Sequence, residues 1–161
     1  MAIMLAVGMT ACSSSDLCMQ DMKVRLKIQF RQMQYDVSSE QNKEQSRSAN
    51  VIIYGAGIDS LLYDSATVSS VELPLQKMSD TTVFVIKQLY QGATDTLYVA
   101  DTLWIAHENE VEFVSMECGG AIISHIKGLS WTINMIDSVT IVDENVVRGG
   151  DNNLKIYFRK Q

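Results

Sequence analysis

Two histidines, a run of carboxylates, a glycine pair and three cysteines are the residues with which this chain could do chemistry, and their spacing is the first test of each. His107 and His125 stand eighteen positions apart and match no HExxH or comparable ligand pattern, so both read as surface or strand-end imidazoles. Asp101, Glu108, Glu110, Glu112 and Glu117 carry enough charge to attract calcium. Alternating carboxylates on a strand point one way without the looped backbone that wraps a hard cation, and there is no DxDxDG-like loop, so they read as a solvated face. Gly55-x-Gly57 lacks the third glycine and the following helix of a phosphate-binding turn and reads as a hairpin bend. No GxSxG elbow surrounds any serine, Ser115 included, and the pairs Asp59-Ser60 and Asp137-Ser138 read as turn residues. The expectation is a protein that is not an enzyme, with no catalytic residues, no metal and no cofactor.

The cysteines carry more. Residues Met1 to Ala11, MAIMLAVGMTA, hold nine apolar residues in eleven and no charge. That run is too short for a spanning helix, which takes about 20 apolar residues, and it has no polar face, so it reads as the apolar part of an export signal over residues 1–11. The order Met9-Thr10-Ala11-Cys12 resembles a bacterial lipobox, in which the cysteine thiol takes a diacylglycerol before cleavage and then begins the mature chain. Buried methylenes at about 0.8 kcal/mol each make attachment through more than one acyl chain stable. Residues 12–21, with the polar run Ser13-Ser14-Ser15-Asp16, read as the tether between lipid and fold.

With Cys12 lipidated, Cys18 and Cys118 are the remaining intramolecular pair, a hundred positions apart. Export delivers them to an oxidising compartment, where a structural disulfide closing a loop of that order contributes about 4.7 kcal/mol in the chain-entropy model. The alternatives are a free buried thiol at Cys118 or a reactive pair, although a thioredoxin-type site would want its cysteines close together at a helix start.

The elements that position these groups follow from composition and pattern. The chain has 161 residues, suited to one domain, here 22–161, and a net charge of −6, which argues against nucleic acid as a ligand because such binders need surplus cations. At 47% hydrophobic and 20% charged it is a folded globular chain. MKVRLKIQF, residues Met22 to Phe30, alternates strictly and predicts a half-buried strand whose polar face is a basic stripe of Lys23, Arg25 and Lys27, extended by Arg31. The stripe has two uses: resting against anionic headgroups, or keeping a strand edge from pairing with other chains.

Residues 38–50 are almost wholly polar and predict a long mobile loop. Further strands are predicted at Val51–Tyr54, Ser60–Tyr63, Val71–Leu75 with Pro74 at an edge or end, Thr81–Tyr90, Thr96–Ile105, Glu110–Cys118, Ala121–Ile126, Trp131–Ile136, Ser138–Val142 and Leu154–Phe158. Val99 to Thr102 fits either a tight turn or a polar step in one long strand. In Glu110–Cys118, Val111 and Phe113 are expected to point inward, with a bulge shifting the phase before Met116. Short strands recurring about every ten residues predict an all-β antiparallel sandwich, with a barrel as second choice. Phe30, Phe84, Trp104, Phe113, Trp131 and Phe158 supply its aromatic core.

With these elements placed, the chain resembles a family of small Bacteroidetes lipoproteins of unknown function, of the DUF6452 type. The resemblance rests on Cys12, Cys18 before the first strand, VIIYGAGIDSLLYDS, VELPL, Ser115-Met116-Glu117-Cys118-Gly119, Ile136-Asp137-Ser138-Val139 and the closing LKIYF, in that order. It implies an envelope location and a β-rich fold, and it carries no activity. The lack of a dense acidic run after Cys12 points away from surface display, toward the periplasm. The expected function is a lipid-anchored, non-catalytic envelope module of the inner or outer membrane, binding a protein, glycan or lipid. The second expectation is a barrel-like periplasmic carrier of an apolar ligand, which needs an internal cavity.

Overall fold

A computed structural model describes residues 18, 21–58, 60–91 and 96–159, and shows an all-β chain of two sheets, one of them curled into a half-barrel. This fits the expected β-sandwich. The described strands are β1 (Leu26–Asp36), β2 (Gln41–Ser46), β3 (Ala49–Gly55), β4 (Leu61–Val68), β5 (Ser70–Leu73), β6 (Thr81–Gln91), β7 (Thr96–Ser115), β8 (Gly119–Trp131), β9 (Ile136–Ile141), β10 (Asn145–Val146) and β11 (Leu154–Phe158).

The smaller sheet runs β2-β1-β11-β9, and β5 shares one edge of β1 with β2. Leu26 to Gln29 pair with β5, and Arg31 to Asp36 with β2. The larger sheet runs β10-β8-β7-β6-β3-β4. All pairings are antiparallel except β1 with β11, where Ile28 faces Leu154 and Phe30 faces Ile156 in parallel register. The chain's first and last described strands therefore lie side by side, so the fold closes only when its last strand arrives.

Period-two patterning builds the core. Leu26, Ile28 and Phe30 of β1, Val71 and Leu73 of β5, and Leu154, Ile156 and Phe158 of β11 are buried from one sheet. From the other come Val51 and Ile53, Phe84 and Ile86, and Leu103 and Ile105. The Phe30 and Phe158 rings meet edge to face with centroids 5.1 Å apart. Burial of side chains this size contributes roughly 1.5–3 kcal/mol each, which dominates the folding energy.

Several expectations are corrected. Residues 38–50 are not a long loop: β1 continues to Asp36, a four-residue turn follows with Glu40 at φ 49°, and Gln41–Ser46 pairs back as β2. All six residues of β2 are exposed, so it has no apolar face by which to be recognised. Trp131 to Ile136 is not a strand, since β8 ends at Trp131 and the chain turns before β9. Asp137 and Ser138 lie within β9 instead of in a turn, and Asp59 is outside the described residues. The polar step at Asp101 belongs to one uninterrupted strand, β7, of 20 residues.

Candidate functional site

Asp101 stands apart from the other carboxylates. It is 1% exposed in the middle of β7, and its carboxylate accepts from Thr132 Oγ1 at 2.5 Å and from the backbone N–H groups of Asn134, Met135 and Ile136 at 2.7–2.8 Å. Burial pushes its pKa up, but these donors outweigh burial and hold it below the usual carboxylate value. Its chemistry is structural, since it folds the β8–β9 connection around one buried charge. The other members disperse: Glu108 pairs with Lys127 at 3.2 Å, Glu110 with His125 at 3.4 Å and Glu112 with Arg148 at 3.9 Å. Among the described residues no group of His, Cys, Asp or Glu could hold a metal.

A second polar network surrounds His107, which is 2% exposed. Its Nε2 lies 2.8 Å from Thr82 Oγ1, and its Nδ1 lies 3.0 Å from Asn109 Oδ1. Burial lowers the pKa of this imidazole, so it is neutral near pH 7, with Nδ1–H donating to Asn109 and Nε2 accepting from the Thr82 hydroxyl. Asn109 Oδ1 also accepts from Ser124 Oγ, and its Nδ2 donates to the carbonyls of Gln76, Lys77 and Ser79.

Hydroxyl, imidazole and amide stand in the order of a nucleophile relay. Thr82 is itself 3% exposed, and its Oγ1 also accepts from the Gln76 N–H at 2.8 Å. The network therefore works as a clamp that ties the loop after Pro74 to β6, β7 and β8. His125, on the same hairpin, bonds Asn145 Oδ1 at 2.8 Å and helps hold β10. Sequence reasoning missed this network, because its members are scattered through unrelated polar positions.

The basic residues come together, though not as one strand face. Lys23 and Arg25 precede β1, and Lys27 lies within it. All three line one groove of about 500 Å³ with Asp21, Glu72 and Tyr63. Asn153, which is buried, anchors this segment, accepting from the Lys27 N–H through Oδ1 and donating its own N–H to the Lys27 carbonyl. Arg31 belongs to a different cluster, with Glu44 at 3.2 Å, and Glu44 also pairs with Lys155 at 2.9 Å. A neighbouring groove of about 440 Å³ brings Lys23 and Arg25 beside Lys77 and the Gly120–Ile122 stretch of β8.

Beyond that groove the β7–β8 hairpin reaches its tip, where Cys118 is bonded to Cys18 with Cα atoms 4.8 Å apart. The Cys118 N–H donates to Ser115 Oγ, and Gly119 turns the chain at φ 73°. Val111 and Phe113, expected inside, are 71% and 67% exposed, and Met116 is 88% exposed. The ladder shifts register between Phe113 and Ser115, as the expected bulge requires, but the covered face here is the one that carries Ala121 and Ile123, and Val111 and Phe113 lie on the other face. Cys12 and the lipobox lie outside the described residues.

A family profile matches residues 50–158, from the second residue of β3 to the end of β11. Its description is a family of unknown function, DUF6452. The chain belongs to the DUF6452 family. No curated protein and no solved structure gives a significant match. The DUF6452 segment contains Asp101, the His107 network and Cys118, while Cys18, the basic residues 23–27 and the β1–β2 hairpin precede it.

Proposed function

We propose that this DUF6452 protein is a lipid-anchored module of the cell envelope that faces the periplasm and has a non-catalytic role, binding or bracing a protein, glycan or lipid at the membrane. The observation that carries the reading is the disulfide between Cys18 and Cys118, which joins residues 100 positions apart. Such bonds form and persist where export delivers a chain, and are rare in the reducing cytosol. The apolar run 1–11 and the order Met9-Thr10-Ala11-Cys12 supply the export and anchoring signals in the same chain. The two polar networks support the non-catalytic part, since their hydrogen-bonding groups are spent on backbone and loop positions.

The carrier of an apolar ligand is the weaker reading. Phe30, Phe84, Ile53, Ile105 and Leu154 fill the space between the sheets, where a carrier would hold its cargo.

Intact mass of the protein from its natural host tests the proposal. The expected product begins at Cys12, carries acyl chains and has Cys18 and Cys118 oxidised, while Cys12→Ser stays uncut and leaves the membrane fraction. An uncut, unacylated chain with both thiols reduced overturns it.

A further inference from the structure

The tip of the β7–β8 hairpin is apolar where a projecting hairpin is ordinarily polar. Val111, Phe113 and Met116 are each more than two-thirds exposed within a few residues of one another. Val111 and Phe113 are two apart on one strand and so share a face. Gly120 lies opposite Phe113, and a Cβ there would come within 2.7 Å of Val111 Cγ1. The bare glycine lets Val111 lie across the hairpin and joins the two side chains into one surface. Grouped exposed apolar residues of this kind mark an interaction surface.

We propose that this tip is a second membrane contact, an apolar wedge seated in the bilayer interface beside the lipid anchor. The proposal rests on the anchored reading above, and it chooses a bilayer over a protein because of where the chain is tied. Cys118, in the turn of the tip, is covalently joined to Cys18. Cys12 lies six residues before Cys18, and six residues span at most about 20 Å fully extended. The other end of β7 lies 20 residues along the strand, or roughly 65 Å of extended chain. A membrane that takes acyl chains at Cys12 therefore meets the tip end of the molecule first.

The surroundings suit that contact. Lys23, Arg25 and Lys77 ring the groove at the base of the hairpin, at the level where headgroups would lie if the tip entered the acyl boundary. Of the nearby carboxylates, Glu112 pairs with Arg148, while Glu110, which contacts the His125 ring, and Glu117 at the turn each add a negative charge.

The test uses the full chain, disulfide intact, with the Cys12 thiol coupled to a maleimide-bearing phosphatidylethanolamine in vesicles, so that it does not depend on acylation in the host. Phe113→Trp is compared with the parent chain, whose two tryptophans set the baseline. Bromine-labelled lipid should quench the added emission about twofold or more, with a blue shift on coupling, as expected for a side chain in the acyl boundary. Val111→Ser together with Met116→Ser should weaken that quenching while leaving thermal unfolding unchanged, because both side chains are exposed. Emission that stays open to iodide and untouched by bromolipid overturns the proposal. So does protection that needs added envelope protein and comes without bromolipid quenching, which would make the tip a protein-docking site. Failure of acylation in the host would overturn the anchored reading and the orientation argued from it, whereas absent bromolipid quenching with acylation intact would overturn the tip contact alone.

Discussion

Asp101 shows how one side chain can organise a connection that has no regular structure of its own. Three successive backbone N–H groups, from Asn134 to Ile136, point at its carboxylate, and those of the buried Met135 and Ile136 would be orphaned donors without it. Leaving buried donors unpaired costs about 1–3 kcal/mol apiece, so Asp101→Ala should lose about 3 kcal/mol or more, read as a lower urea midpoint. Because its folded pKa is depressed, the stability Asp101 contributes is present above its ordinary value of 3.8 and is lost as pH falls through the folded value. His107 acts in the same direction at higher pH. Its folded pKa is lowered by burial from 6.5, so its contribution is whole above 6.5 and declines as the pH drops below it. The urea midpoint should fall as the pH drops below 6.5, and His107→Gln should flatten that part of the profile while lowering the plateau. Two buried polar groups that look like site residues are thus better understood as supports for loops. Neither role was visible in the sequence, where Asp101 counted among surface carboxylates and His107 as a strand-end imidazole, because burial depends on what packs over a strand.

Strands with a buried face were legible and strands without one were not. Thr81–Gln91 and Leu154–Phe158 alternate because one side of each meets the core, and their expected bounds fall within a residue of those observed. Gln41–Ser46 has no such side; it is held by its ladder to β1 and by ion pairs such as Lys43 with Asp36 and Arg31 with Glu44. The β7–β8 hairpin shows the opposite failure, since its alternation places Val111 and Phe113 on the face opposite the covered one. The disulfide ties this hairpin to the chain's start. Replacing Cys18 and Cys118 together by serine should lower stability by about 2–4 kcal/mol, and reduction of the parent protein should reproduce that loss. Proteolysis within residues 18–25 should rise in the same variant, because that segment is otherwise pinned at both ends, by the sulfur bridge and by Asn153 at Lys27.

For the molecule as a unit, the fold gathers Lys23, Arg25, Lys77, an apolar hairpin tip and the Cys18–Cys118 bridge at one end, although the net charge is −6. Lys23, Arg25 and Lys27 share their groove with Asp21 and Glu72, so their positive charge is partly offset internally. We expect Lys23→Gln, Arg25→Gln and Lys27→Gln together, in a form lacking Cys12, to weaken binding to anionic vesicles by up to about 1 kcal/mol per cation at low salt. Unchanged binding would reduce the stripe to a groove wall. The DUF6452 match spans β3 to β11, so the basic segment and Cys18 lie ahead of what the family profile describes.

The amino-acid sequence by itself determined the all-β class, most strand positions and the place of the bend at Gly55 to Gly57, and it narrowed the sulfur chemistry to Cys18 with Cys118 or a free thiol. These follow from local rules, namely period-two burial, turn residues and the small number of available thiols. Only the tertiary structure decided that β1 and β11 pair in parallel, that Asp101 and His107 are interior clamps, and that the apolar residues at the hairpin tip face outward. Each of those outcomes depends on how far one sheet extends over the other, a long-range packing result that leaves no local mark in the order of residues.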